Sequence, residues 1–100
     1  MNKRLRKKKG LLISYQEMWS LDYTLAKYIL PRLKKFKEVC CGYPCPLTED
    51  EYEEILNKMI WSFDYIVKEE IHTIEEKEKL DKQCQEGLNL FAEYFRSLWL

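Results

Sequence analysis

Apolar residues recur at three- and four-residue steps in three long stretches of the chain, and no stretch alternates as a strand does. This spacing lines one face of an α-helix with side chains that pack against a core. The three stripes are Leu25, Ile29, Leu33, Phe36 and Cys40; Tyr52, Ile55, Leu56, Met59, Ile60, Phe63, Ile66 and Val67; and Leu80, Cys84, Leu88, Phe91, Phe95 and Trp99. The pattern predicts an all-α fold, a compact antiparallel bundle of three main helices with a basic N-terminal arm.

The first predicted helix runs from about Ser20, a plausible N-cap, to about Cys41. Its Pro31 falls away from the apolar stripe, so we expect the proline to lie outside and bend the helix around the core. A break into two helices at this proline is the alternative. Gly42 is a helix stop, and the Tyr-Pro-Cys-Pro run at 43–46 predicts a short, extended linker.

Two capping boxes mark the starts of the other helices. Thr48 has Glu51 three residues on, and Thr73 has Glu76 at the same spacing. The expected ends of these two helices are about Glu70 and about Leu98. The chain between them is the weakest boundary, because it could stay helical throughout.

Charge is segregated along the chain, although 17 basic and 17 acidic residues cancel overall. Six basic residues precede Gly10, which leaves 11 basic against 17 acidic residues and a net charge near −6 in the remainder. The six are Lys3, Arg4, Arg6, Lys7, Lys8 and Lys9. Because like charges repel and nothing apolar is buried there, we expect 1–9 to form a flexible arm and 10–100 a single helical domain. The arm is a candidate for binding nucleic acid through counterion release, or an acidic partner.

Cys40, Cys41, Cys45, Cys84 and His72 are the soft metal ligands of the chain, and their spacing is poor for zinc. Structural zinc sites take paired cysteines from two separate turns, whereas here the second pair would be one cysteine and a distant histidine. Two of the cysteines fall within apolar stripes, where a free cysteine packs as a small hydrophobe. We therefore expect no metal and no other cofactor.

No arrangement of residues predicts catalysis. A cysteine nucleophile needs a base beside it, and His72, the only histidine, is expected at a helix boundary. The three glycines are far apart, which excludes a phosphate-binding glycine loop. The chain begins with charges and holds no apolar run of signal-peptide or membrane-spanning length. We expect a protein that is not an enzyme, has a cytoplasmic location and reduced thiols, and has no membrane partner.

Trp61 and Tyr65 lie opposite the apolar stripe of the second helix when each residue advances by about 100°. Trp and Tyr are enriched in binding hot spots. The pair, with Asn57 and Lys68 alongside, is therefore a candidate protein-binding surface for a second copy of the chain or another protein. Two alternatives stay open: the helix is central and contacted on both sides, or the N-terminal segment 10–19 folds over this face.

Three segments of the chain carry a resemblance to a known group of proteins. They are LDYTLAKYILPRLKKFKE (21–38), GYPCPLTEDEYEEILNKMIWSFDYI (42–66) and EGLNLFAEYFRSLW (86–99), and together they span most of the chain after Ser20. The chain resembles small, mostly uncharacterised helical proteins encoded by tailed bacteriophages. No activity and no binding residue is carried over with this resemblance.

The resemblance implies a context, the cytoplasm of a bacterial host. Small phage proteins without catalytic residues commonly bind host enzymes, bind defence complexes such as CRISPR effectors, or belong to the particle. The first hypothesis is therefore protein–protein binding, including inhibition of a host or defence protein. The alternatives are a nucleic-acid-associated accessory protein that uses the basic arm, and a structural component of a phage particle.

Overall fold

The structure, a computed structural model, describes residues 13–40 and 42–100. Within these ranges the chain forms α-helices and one short 3-10 helix, with no strand, so the all-α prediction is confirmed for the described chain. The elements are α1 (Tyr15–Trp19), α2 (Leu21–Val39), α3 (Glu49–Lys68), α4 (Ile74–Tyr94) and the 3-10 helix Phe95–Ser97. The predicted basic arm, 1–9, lies outside the described residues.

The three main helices pack side by side, with α3 in the middle. Helix α3 contacts α2 on one side and α4 on the other, whereas no Cα atom of α2 comes within 8 Å of one in α4. The overall dimensions of 50 × 39 × 20 Å reflect this flattened arrangement. Three main helices were predicted and are confirmed. The backbones of α2 and α4 stay further apart than those of the other two pairs, while side chains of all three helices share one core.

The start of α2 differs from the prediction. Ser20 lies at the N-cap position, but its side chain makes no capping hydrogen bond. The short helix α1 precedes it, capped by Ser14, whose hydroxyl accepts from the backbone N–H of Glu17 at 3.2 Å. The Glu17 carboxylate in turn accepts from the Ser14 backbone N–H at 2.8 Å. The sequence carried this signal, since Ser14 and Glu17 have the same spacing as the two capping boxes that were recognised.

Helix α2 runs without interruption through Pro31, which is exposed, so the break into two helices does not occur. The helix ends at Val39, and Cys41 lies outside the described residues. The predicted apolar stripe of α2 is partly wrong, because Leu25 is half-exposed. The row that is buried consists of Ala26, Leu30 and Leu33. Apolar residues cover a wide arc of this helix, and spacing alone does not say which row meets the neighbouring helix.

Both predicted capping boxes are confirmed. The Thr48 hydroxyl accepts from the Glu51 backbone N–H at 3.2 Å, and the Thr73 hydroxyl accepts from the Glu76 backbone N–H at 3.3 Å. The boundary between α3 and α4 is a true break in the helix, because Glu69 adopts a left-handed conformation with φ of 48° at the end of α3. A residue with this φ cannot continue a right-handed helix.

Helix α4 ends at Tyr94, earlier than predicted, and the chain continues as a 3-10 helix. Phe95 and Trp99, assigned above to the third apolar stripe, are both exposed. The tighter 3-10 turn changes the angular step between residues, so the stripe does not continue past Phe91. Phe63 and Phe91 pack edge to face with ring centroids 4.9 Å apart, and the half-buried Phe36 packs against the same core.

The linker between α2 and α3 is a turn and not the extended segment that was predicted. The Leu47 backbone N–H donates to the Pro44 carbonyl at 2.9 Å, and the Cys45–Pro46 peptide is cis. This hydrogen bond closes a turn over residues 44–47 before α3 begins.

Candidate protein-binding groove between α3 and α4

The register between α3 and α4 is set by small residues at their crossing. The Ser62 hydroxyl is fully buried and lies 2.9 Å from the carbonyl oxygen of Cys84 and 3.1 Å from that of Lys58. Opposite it, α4 presents Gly87. A Cβ atom at this glycine would overlap the Ser62 hydroxyl and the Lys58 carbonyl oxygen. The backbones of the two helices therefore approach as closely as a glycine allows.

An open groove of about 590 Å³ lies along this helix pair. Its lining residues are Glu54, Asn57, Lys58 and Trp61 from α3, and Lys79, Lys82, Gln83 and Glu86 from α4. Trp61 is the only aromatic residue among them and is half-buried. Since Trp61 follows the fully buried Met59 by two residues, or about 200° of helix rotation, it lies on the side of α3 opposite the core.

The charges along the groove are only partly paired. The Lys58 ammonium lies 3.0 Å from a Glu86 carboxylate oxygen and bridges the two helices. This hydrogen bond raises the pKa of Lys58 above its ordinary value. Among the described residues, no carboxylate lies within 4.0 Å of the ammonium groups of Lys79 or Lys82. The α4 side of the groove therefore presents two unpaired positive charges.

Trp61 is held in place by a stack of rings. Its ring centroid is 5.3 Å from that of Tyr65, with an interplanar angle of 6°. On its other side Tyr65 stacks with His72, at a centroid distance of 6.2 Å. The Tyr65 hydroxyl donates to an Asp81 carboxylate oxygen at 2.9 Å, and this hydrogen bond raises the pKa of the phenol. Tyr65 thus ties α3 to α4 and orients Trp61.

The four residues predicted from the sequence have different places. Asn57 and Trp61 line the groove, while Tyr65 borders it through the ring stack. Lys68 is exposed and lies outside the lining. Its ammonium is 2.9 Å from the Asp64 carboxylate, a hydrogen bond that raises the pKa of the lysine. The prediction missed Lys79 and Lys82, because lysines spaced along a polar helix give no sign that another helix brings an aromatic residue beside them.

The structure bears on both alternatives for the face of α3 that carries Trp61 and Tyr65. Helix α3 is indeed central and contacted on both sides, yet α4 leaves Trp61 open to the groove. The described part of the N-terminal segment, 13–19, does not cover the groove. Helix α1 makes its contacts with α2, and none of its residues lines the cavity.

The cysteines of the described chain are spread over different environments. The Cys40 thiol lies 3.2 Å from the Gly42 carbonyl oxygen, Cys45 is exposed, and the buried Cys84 thiol lies 3.7 Å from the Ser62 carbonyl oxygen. Burial raises the pKa of the Cys84 thiol. In residues 13–40 and 42–100, no three His, Cys, Asp or Glu side chains gather in a way that could hold a metal ion.

Comparison with known proteins adds no relative: no family model, curated protein or solved structure matches the chain. Among the described helices, none combines the length and apolar character needed to cross a membrane. The basic residues from Lys3 to Lys9 lie outside the described part of the chain.

Proposed function

We propose that this chain is a non-enzymatic, phage-type protein that acts by binding another protein, and that the partner docks in the α3–α4 groove. The observation that carries the proposal is Trp61, a half-buried indole in an open groove whose rim is charged. Protein interfaces are commonly built in this way, with an aromatic anchor at the centre and a polar rim around it.

The lining favours a protein over a small molecule. Small-molecule pockets are lined mainly by apolar and aromatic side chains. In this groove, Trp61 stands alone among charged and amide side chains. Such a lining suits a partner segment that covers the indole and satisfies the rim at the same time.

The unpaired ammonium groups of Lys79 and Lys82 favour a partner segment that carries carboxylates. Opposite charges across an interface raise the association rate and select the partner, and rim charges act mainly in this way. The resemblance to small phage-encoded proteins supports a host protein, including a defence component, as the partner, and inhibition as the outcome.

Affinity capture from bacterial lysate tests the proposal with matched variants. Trp61→Ala should lose the captured protein while circular dichroism and the melting curve stay close to wild type. Trp99→Ala is the control, because Trp99 is an exposed tryptophan outside the groove lining. Truncating an anchor aromatic commonly weakens binding by about 2 kcal/mol or more, roughly thirtyfold.

A second variant separates the rim from the anchor. Lys79→Glu together with Lys82→Glu should slow association with the captured protein and reduce its dependence on salt. Deletion of residues 2–9 should leave capture intact. Capture that survives Trp61→Ala, or that requires residues 2–9, would show that the groove is not the binding site.

A further inference from the structure

Helix α2 carries a second apolar row that its neighbour does not cover. The buried row, Ala26, Leu30 and Leu33, faces the core. Leu21, Leu25 and Tyr28 have the same i, i+4, i+7 spacing but lie roughly 140° further around the helix. All three are about half-exposed or more. Among the main helices α2 makes backbone-level contact only with α3, so no other described main helix covers this second row.

Helix α1 adds exposed apolar side chains directly before this row. It ends at Trp19 and α2 begins at Leu21, and the two helices are in contact. Tyr15 and Trp19 lie with their ring centroids 6.4 Å apart, and Met18 beside them is half-exposed. The α1–α2 apolar face is defined here by Tyr15, Met18, Trp19, Leu21, Leu25 and Tyr28.

The face is large for a chain of this size. Its three aromatic side chains, Tyr15, Trp19 and Tyr28, are 74%, 80% and 61% exposed. An aromatic residue buries about 150–250 Å² in full, so these three alone offer roughly 400 Å². That is about half of the roughly 800 Å² that each partner contributes to an interface of standard size. The three half-exposed aliphatic side chains, Met18, Leu21 and Leu25, add to this area.

The charges around the face suit contact with an identical surface. Glu17 and Asp22 are acidic residues next to the face in sequence, and Lys27 and Arg32 are basic ones, with Arg32 on the same row four residues after Tyr28. The Arg32 guanidinium lies over the Tyr28 ring, 3.6 Å from its centroid, and donates to the Tyr28 carbonyl, so it covers one face of the ring and leaves the other open. In a two-fold dimer each surface meets itself, and a surface of one sign would repel its copy. A surface with both signs can instead pair its acidic side chains with the basic side chains of the copy.

A second copy placed against the outer side of α2 would cover the α1–α2 apolar face. When two α2 helices pair in antiparallel orientation near Leu25, Leu21 of each copy meets Tyr28 of the other.

We infer that the chain forms a two-fold symmetric homodimer through the α1–α2 apolar face. The face and the α3–α4 groove share no residue, so dimerisation leaves the groove open and gives each dimer two grooves. The inference does not depend on the proposed function.

Sedimentation equilibrium of the full chain tests the inference between about 1 and 100 µM, a range that brackets typical moderate-affinity association. Wild type should sediment at twice the chain mass. Leu25→Glu places a charge at the dimer axis and should halve the mass, and Tyr28→Glu should do the same. Ile71→Glu is the matched control, because Ile71 is 99% exposed at the α3–α4 hinge, and this variant should remain dimeric.

Tryptophan emission supplies a second readout that does not depend on a charged variant. Dilution of wild type should shift the emission maximum to longer wavelength, and Trp19→Phe should remove most of that shift. A monomeric wild type, or a dimer that survives both Leu25→Glu and Tyr28→Glu with its helicity intact, overturns the inference. A monomeric wild type that dimerises when residues 2–12 are deleted would show instead that the chain's own N-terminal segment covers the face.

Discussion

The two neighbours of α3 are held by different kinds of contact. Against α4, a glycine and a serine allow close approach, and hydrogen bonds cross between the helices from Ser62, Lys58 and Tyr65. Against α2, the contact is made by apolar side chains, and the ion pair there, Lys37 to Glu53 at 3.7 Å, is partly exposed. Such an exposed pair adds little stability.

This difference affects how strictly the alignment of each helix against α3 is specified. Directional hydrogen bonds and a glycine-sized gap accept one alignment of α3 with α4, because a shift by one residue leaves the Ser62 hydroxyl facing a Cβ atom. Apolar packing against α2 is less selective, since hydrophobic burial has no direction. The looser specification of α2 is consistent with its surplus of apolar surface.

The largest effect should come from Gly87→Ala. Alanine favours helix by about 1 kcal/mol over glycine, but the added methyl group would overlap the Ser62 hydroxyl and the Lys58 carbonyl oxygen. We expect a net loss of about 3 kcal/mol in the free energy of unfolding, measured by urea titration. Gly42→Ala is the control, since nothing lies within 4 Å of a Cβ atom at that position. An unchanged or raised stability of Gly87→Ala would mean that the helices are not in close contact.

Leu33→Ala probes the apolar side of the comparison. Leu33 is buried between α2 and α3, and its truncation should cost about 2–3 kcal/mol, somewhat less than Gly87→Ala because apolar side chains can settle into the space. The exposed neighbour Lys34 supplies the control, with Lys34→Ala expected within about 0.5 kcal/mol of wild type. Equal losses in the free energy of unfolding for Leu33→Ala and Lys34→Ala would show that α2 presents a different face to α3.

Ser62→Ala should have a smaller effect, about 1 kcal/mol, because one buried hydrogen bond is lost while both carbonyl acceptors belong to helices. Its value lies in a double-mutant cycle with Gly87→Ala. Removing the hydroxyl relieves part of the overlap, so the pair should be less destabilised than the sum of the single effects, by at least about 0.5 kcal/mol. The pair Leu33→Ala and Gly87→Ala serves as the reference and should be more nearly additive.

The smallest effect should appear at alkaline pH. Burial raises the pKa of the Cys84 thiol above its ordinary 9.0 and that of the Tyr52 phenol above its ordinary 10.0. The folded state thus holds these protons more tightly than the unfolded state. The resulting stability is complete below the unfolded pKa values and is lost as pH rises through the folded ones.

Urea midpoints should therefore be constant near neutral pH and fall above about pH 9. Cys84→Ala should remove the part of the fall that begins at the lower pH. The exposed Cys45 should also react with a thiol reagent before Cys84 does. Faster labelling of Cys84 than of Cys45 in the native protein would show that the α3–α4 contact opens readily.

The sequence predicted the helices best where the signal is local. The capping boxes at Thr48 and Thr73 each use a side chain and a backbone group three residues apart, so the pattern contains the whole interaction. The same spacing also marks the start of α1, where Ser14 and Glu17 form a capping box. The end of α4 was placed too late, because apolar spacing continues into a segment whose turn is tighter than an α-helix.

Of the candidate groove, the sequence predicted only the side that α3 forms. Angular stepping along α3 places Trp61 and Tyr65 on the face opposite the core, and the ring stack between them lies within one helix. The other side of the groove comes from α4, whose Lys79 is 18 positions after Trp61 in the chain. No periodicity within α3 indicates that Lys79 and Lys82 stand beside Trp61.

What the sequence determined by itself is the three main helices and the apolar side of α3, because those depend on groups within a turn or two of each other. Only the tertiary structure decided that α3 lies between α2 and α4, that Gly87 meets Ser62, and which row of α2 is buried. These depend on contacts between residues far apart in the chain, such as Ser62 with Cys84, 22 positions on. Apolar residues on α2 cover a wider arc than one neighbouring helix can bury. The packing of all the helices therefore decides which row of α2 is buried.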